Sequence, residues 1–320
     1  MMKRISILLM ALVPTMLWAQ FAPEAGVAGT TAMHADSSAF VAWATGCVIE
    51  RGPIQIGVTD SLVSYGVDDD ALGKADNMVV SLGDGGTAVL TFASPICNRR
   101  GPDFAVFENP FHNAPHCFLE LAFVEVSSDG ENYFRFPAIT NVPFDEQMGS
   151  FGVMDATLIH NFAGKYEVMY GTPFDLDEVE DDGRLDKSHV THIRLIDVVG
   201  TINPEYATYD SEGHIVNDPF PTPFYSSGFD LDAIGVIHDV AHFDVAENEM
   251  NLVSVYPNPV KDRLIIDADG FDSVEIYNLV GQQVIVSTTA VVDMGDMNQG
   301  IYFVRVVADG KTITKRIVKQ

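Results

Sequence analysis

Two carboxylates, Asp230 and Asp232, stand two apart in SSGFDLDAIGVI (226–237), and Asp103, Glu108 and Asn109 fall within GPDFAVFENP (101–110). All five offer hard oxygen ligands of the kind that Ca²⁺ takes, six to eight of them at roughly 2.3–2.6 Å. In an extended strand Asp230 and Asp232 share a face with Ile234 and Val236. An unpaired carboxylate on such a face is expensive. The expectation is that the two segments converge on one structural calcium at the rim of a β-sandwich. Otherwise the same carboxylates cap loop N–H groups and pair with Arg99, Arg100 and Arg194.

Other chemistry is sparser. His112 and His116 are four apart in FHNAPH, where Asn113, Ala114 and Pro115 indicate a loop, so the pair is a weak zinc signal. Glu108 with Glu120 or Glu125 could form a glycosidase pair, but acidic pairs abound here. The acidic run 174–189 fails as an EF-hand, with Glu178 at the first loop position and His189 at the twelfth. His-Glu-x-x-His, Gly-x-Ser-x-Gly and phosphate-cradling motifs are absent from the sequence. Tyr206, Tyr209, Phe220, Phe224 and Tyr225 lie in one long connection (201–228) just before the FDLD strand, a candidate ligand-binding face.

The elements that position these residues read as strands. Short β-branched and aromatic runs are broken by Gly, Asp and Pro, with almost no helical periodicity. Residues 77–92 read as a hairpin about a Gly-rich turn, and 118–139 as another around Ser128-Asp129-Gly130. The fold class is therefore all-β: a large antiparallel sandwich or jelly roll over 20–246, a linker at 247–251, and a small Ig-like sandwich of seven strands over 252–320. Cys97 and Cys117 bracket a loop whose closure would stabilise by roughly 3 kcal/mol, and they are expected to form a disulfide, leaving Cys47 a buried thiol.

Lys3 and Arg4 precede an apolar run from Ile5 to Trp18, then Ala19. This reads as a signal peptide over 1–19, too short to span a bilayer, and no later segment is apolar enough to cross one. The net charge is −27, and residues 20–246 hold 35 acidic against 9 basic residues. Such a body repels phosphates, which excludes a nucleic-acid role.

The C-terminal segment resembles the type A sorting domain of the Bacteroidetes type IX secretion system. The likeness rests on Tyr256-Pro257-Asn258-Pro259, the Val274-Glu275-Ile276-Tyr277 strand with Gly281 after it, Gly300-Ile301-Tyr302, and the basic end from Lys315 to Lys319. It implies recognition by the secretion machinery and its sortase, and delivery to the outer-membrane surface or release. Residues 252–320 are then an address and 20–246 the payload. The payload is similar to uncharacterised bacterial cell-surface proteins carrying GPDFAVFEN, LAFVEVSSDG, IRLIDVVG and SSGFDLDAIGVI, in outline like discoidin or carbohydrate-binding jelly rolls, and more distantly like surface sandwiches of vitamin B12 uptake systems. The resemblance implies a class and not a ligand; with the enzyme signatures missing, binding or adhesion is expected rather than catalysis, with a glycan as the leading ligand. Capture of a corrinoid or other small nutrient is the alternative, and glycan hydrolysis the second.

Overall fold

The computed structural model describes residues 21–242, 253–268, 270–308 and 310–320. The signal segment 1–19 and the linker 247–251 lie outside the described residues. The chain divides into two compact units between Asp239 and Val240.

In the large unit one sheet runs in the order β1 (Met33–His34), β13 (Tyr170–Phe174), β6 (Phe104–Glu108), β15 (Asp230–Val236), β2 (Ala42–Trp43), with β4 (Val80–Ser81) also on β15. The second runs β10 (Phe134–Arg135), β9 (Ala122–Ser127), β14 (Val190–Asp197), β5 (Thr87–Ile96), β3 (Gly46–Glu50). Every pairing is antiparallel. From β5 onward the chain crosses between these two sheets at each step except the β9–β10 hairpin, and the order β2-β15-β6-β13 against β5-β14-β9-β10 is jelly-roll topology. Two short ribbons complete the unit: β7 (Phe111–Asn113) with β8 (His116–Phe118), and β11 (Ile139–Thr140) with β12 (Ile159–His160).

A single apolar cluster joins the sheets, with Val106, Phe174, Leu231, Ile234 and Val236 from one and Leu90, Val124, Val126, Ile193 and Leu195 from the other. At its centre Phe104 stacks on Phe174 at 5.3 Å, and Phe136 meets Phe174 edge-on at 5.0 Å. Burying three rings this way supplies both area and aromatic geometry.

Three expectations change here. The 77–92 segment is not a hairpin, because β4 and β5 belong to opposite sheets and the Gly-rich loop carries the chain across. A Cβ on Gly86 would meet the Leu82 carbonyl oxygen at 2.0 Å, so these glycines permit close backbone packing. The 118–139 hairpin does form, as β9 with β10.

Cys97 and Cys117 do not bridge; all three cysteines are thiols. Cys97 N donates to His238 O, at the Phe104 end of the β6–β15 ladder. Beyond the Glu108 end, Cys117 lies on β8. Between them β6 advances the chain by five residues at roughly 3.3 Å each.

Nor do Asp230 and Asp232 share a face with Ile234 and Val236. The register slips between Leu231 and Ala233, and this bulge reverses which side chains face inward. Leu231, Ile234 and Val236 point into the core while Ala233 joins Ala105 and Phe107 on the other side.

Among the described residues the small unit has seven strands: β16 (Val253–Tyr256), β17 (Arg263–Ala268) and β20 (Val291–Asp293) in one sheet, and β19 (Gln283–Ser287), β18 (Phe271–Asn278), β21 (Gly300–Ala308) and β22 (Lys311–Lys319) in the other. One core from Val253, Leu264, Ile266, Ile276, Val304 and Ile317 joins them.

Replacing Phe174 by alanine is expected to cost the large unit about 3–5 kcal/mol, read as a lower urea midpoint for its transition; a loss below about 1 kcal/mol would remove the three-ring contact from its central place.

Candidate functional site

The two ends of β6 have different chemistry. At its start, Asp103 is fully engaged: Arg99 N (2.8 Å) and His238 Nδ1 (2.9 Å) approach Oδ1, and Leu176 N (2.9 Å) donates to Oδ2. Asp103 therefore does not meet Asp230 or Asp232 and leaves the proposed calcium set. Asp232 accepts from the Asp76 and Asn77 N–H groups, both at 3.1 Å, and so caps a loop. Glu125, on the other sheet, is held by Arg135 and Arg194, which takes it out of any glycosidase pair.

At the far end Glu108 lies opposite Leu231. Asn109 and the Ser81 hydroxyl hydrogen-bond to Asp230. Glu120 stands near Asp230 and Glu108, with Asp218 and Asp197 beyond. Glu108 Oε2 and Asp218 Oδ1 are buried without a protein hydrogen-bond partner. Burial, then repulsion from the Asp230 carboxylate, holds the carboxyls of Glu108 and Glu120 well above the usual range. Burial pushes Asp230 up to about 7, against the opposing hydrogen bonds from Ser81 and Asn109.

A cavity of about 200 Å³ opens above this group. Glu120, Asp230 and Asn109 line it on the polar side, and Phe111, Phe118, Phe151 and Phe224 on the apolar side. Phe111 stacks on Phe118 at 5.0 Å, and Phe151 bridges Phe118 (6.2 Å) and Phe224 (5.9 Å). Three of these rings remain substantially exposed. The loop carrying Phe151 is tied by Asn217, whose side chain donates to Pro143 O and Glu146 O and accepts from Met148 N. Ser150 Oγ donates to Pro221 O at 2.6 Å, linking this loop to the one that carries Phe224.

Of the five aromatics expected to bind ligand, only Phe224 lines the cavity. Tyr206 packs over Gly57, Tyr209 bridges Ile215, the Tyr225 carbonyl accepts from Ser64 and Tyr65 while its side chain faces solvent, and Phe220 N donates to Met148 O. Phe111, Phe118 and Phe151 were missed, since they come from separate loops with no shared spacing. Among the described residues no three of Asp103, Glu108, Glu120, Asp230 and Asp232 bring carboxylate oxygens within 4.8 Å of one another. A larger cavity of about 510 Å³ lies beside Phe21, His160 and Lys165. Its polar groups satisfy one another, with Lys165 Nζ donating to Ile159 O and Asn161 to Glu178. Of these two cavities the smaller has in its lining the chain neighbour of an orphaned carboxylate, Asn109 beside Glu108.

In the small unit the sequence signals meet through hydrogen bonds. Asn258 Oδ1 accepts from Val318 N at 2.9 Å and its Nδ2 donates to Arg316 O at 3.2 Å, so the Tyr256-Pro257-Asn258-Pro259 turn is sewn to the final strand. Gly281, with φ +77°, supplies the left-handed turn residue between β18 and β19. Gly300 opens β21 opposite Lys319, and Lys315 lies opposite Val304. The Tyr302 hydroxyl donates to Asn298 O at 2.9 Å. Residues 254–320 match the family model for the secretion system C-terminal sorting domain.

The small unit is such a sorting domain. The chain that carries it is secreted to the cell surface, and its partner for that step is the secretion machinery. Within the described residues no helix is long and apolar enough to cross a membrane. No curated protein matches the sequence. Among solved structures the chain is similar to the BSP domain of a biofilm-associated protein, 11% identical over 89% of this chain and 52% of that one, with a TM-score of 0.19. It spans about half the length of that structure, and a score this low carries no argument about ligand or fold.

Two outcomes follow from the acids and the address. The unfolded chain ionises its aspartates near pH 4, whereas the fold keeps Asp232 and Asp84 protonated to about 6 and Asp230 to about 7. The folded state binds the extra protons, so stability in metal-free buffer falls as pH rises from about 4 to 7; a melting temperature that rises steadily across that window would contradict the burial of these acids. Deleting the sorting domain is expected to leave the payload in the periplasm, and undiminished surface labelling of the truncated chain would overturn the address.

Proposed function

We propose that the large unit is a glycan-binding module delivered to the cell surface by its sorting domain, and that the sugar enters the cavity between Phe111, Phe118, Phe151, Phe224 and the Glu120–Asp230 acids. The observation that carries this reading is the pairing of exposed rings with raised-pKa carboxyls around one small opening. A sugar ring presents C–H faces to aromatic rings and hydroxyls to hydrogen-bonding groups. A carboxyl that keeps its proton near neutral pH can both donate and accept. Glu108, whose Oε2 is buried without a protein partner, directly precedes the cavity-lining Asn109.

The cavity size favours a sugar over a corrinoid. At about 200 Å³ it falls below the roughly 300–1,000 Å³ of sites that enclose drug-sized ligands. Calcium at this rim would have to draw Glu108, Asn109, Glu120 and Asp230 together. Hydrolysis is a second reading, favoured by two raised-pKa carboxyls on one opening.

The test is a glycan array with the mature chain, followed by titration of each hit. Phe151→Ala, Phe224→Ala and Glu120→Gln should each weaken binding at least tenfold, while Tyr225→Ala, outside the cavity, should not. Glycan binding that survives all three substitutions, or tight binding of cobalamin alone, would sink the proposal. Calcium that raises the melting temperature at pH 7.5 relative to EDTA adds the ion to the site. Release of reducing ends from a bound glycan moves the assignment to hydrolysis.

A further inference from the structure

The hairpin that supplies two of the cavity's rings has a second face. In β7–β8 the register sets Phe111 opposite Phe118 and His112 opposite Cys117. Successive strand side chains alternate, so His112 and Cys117 leave on the side away from the phenylalanines. There Cys117 Sγ lies 3.8 Å from His112 Nδ1. Glu24, from the segment that begins the described chain, adds a carboxylate, and the ligand atoms of all three lie within 4.8 Å of one another. His116 Nδ1 is 3.0 Å from Glu24 Oε1.

We infer that Glu24, His112 and Cys117 form a site for a zinc-class divalent cation, with His116 as the residue that positions Glu24. Tetrahedral zinc at about 2.3 Å from sulfur and about 2.0–2.1 Å from nitrogen places those two atoms roughly 3.5 Å apart, close to the separation already present. A thiolate beside an imidazole selects zinc over calcium or magnesium. An adjoining cavity of about 190 Å³, bounded also by Lys165 and Tyr166, leaves room for water as the fourth ligand. On binding, the Cys117 thiol gives its proton to solvent and the sulfur bonds the ion. Neither sequence spacing nor the His112–His116 pair signals this set, because Glu24 is remote in the chain and Cys117 was assigned to a disulfide.

The ion would join elements that otherwise touch lightly. The Glu24 segment is anchored by Phe21 N to Thr157 O and by Phe21 stacking on His160 at 4.9 Å. The hairpin is anchored by Met154 N to Cys117 O and by Val168 N to Pro110 O. Zinc across them would set the position of the hairpin, and with it the Phe111–Phe118 wall. The site stands whether or not that wall takes a glycan.

The test uses the reduced, chelator-stripped mature chain, titrated with Co²⁺ and then Zn²⁺. One Co²⁺ per chain is expected, with sulfur-to-cobalt charge-transfer absorption that one equivalent of Zn²⁺ abolishes. Cys117→Ser should remove that absorption and Cys47→Ser should leave it. His116→Ala should keep the absorption but bind about 10–100-fold more weakly. Should Cys117→Ser fail to fold, His112→Ala and Glu24→Ala serve instead, each expected to weaken Zn²⁺ at least tenfold. A parent spectrum without the sulfur band, or zinc affinity unchanged in both of those variants, overturns the site.

Discussion

Backbone that leaves a strand inside a protein must still find partners for its N–H groups, and in the large unit buried aspartates supply them. Asp197 takes Gly85 N and Phe229 N, Asp210 takes Thr140 N, His214 N and Glu212 N, and Asp218 takes Leu121 N. Asp84 takes Ile56 N. The long connections of this jelly roll hold their shape through such caps, which places several carboxylates under the surface close to one another. Part of the acidity of this unit is thus internal scaffolding and not surface charge.

The same constraint makes the rim cavity conspicuous. Where an aspartate meets loop N–H groups, its burial is compensated. Glu108 and Glu120 sit in the same electrostatic neighbourhood, yet Glu108 keeps one oxygen without a partner, and after burial it is Asp230 that most raises the proton affinity of both. Four rings from three loops close over this end. The β7–β8 hairpin belongs to both chemistries, with rings on one face and soft and nitrogen ligands on the other. Its position therefore bears on both.

The sorting domain obeys a simpler rule. Its strands alternate cleanly, so one face of each sheet is apolar and the two faces meet in a single core. Asn258 ties the opening turn to the closing strand, which gives a physical reason for motif pieces at opposite ends of the segment to occur together.

The sequence by itself determined what depends on neighbours along the chain. Alternation in Tyr302-Val304-Val306, turn residues such as Gly281 and Asp129-Gly130, the scarcity of helical periodicity and the run of sorting motifs were enough for an all-β chain with a C-terminal address. Tertiary structure alone decided what depends on the direction and phase of a strand. A one-residue bulge at Leu231–Ala233 turned Asp230 and Asp232 off the core face. The length of β6 separated Asp103 from Glu108, and Cys97 from Cys117, though each pair is near in sequence. The crossover of β4 to β5 replaced an expected hairpin. The cavity gathers Asn109, Glu120, Phe151 and Phe224 from distant loops, and no local pattern encodes such an encounter, because it follows from the packing of two sheets.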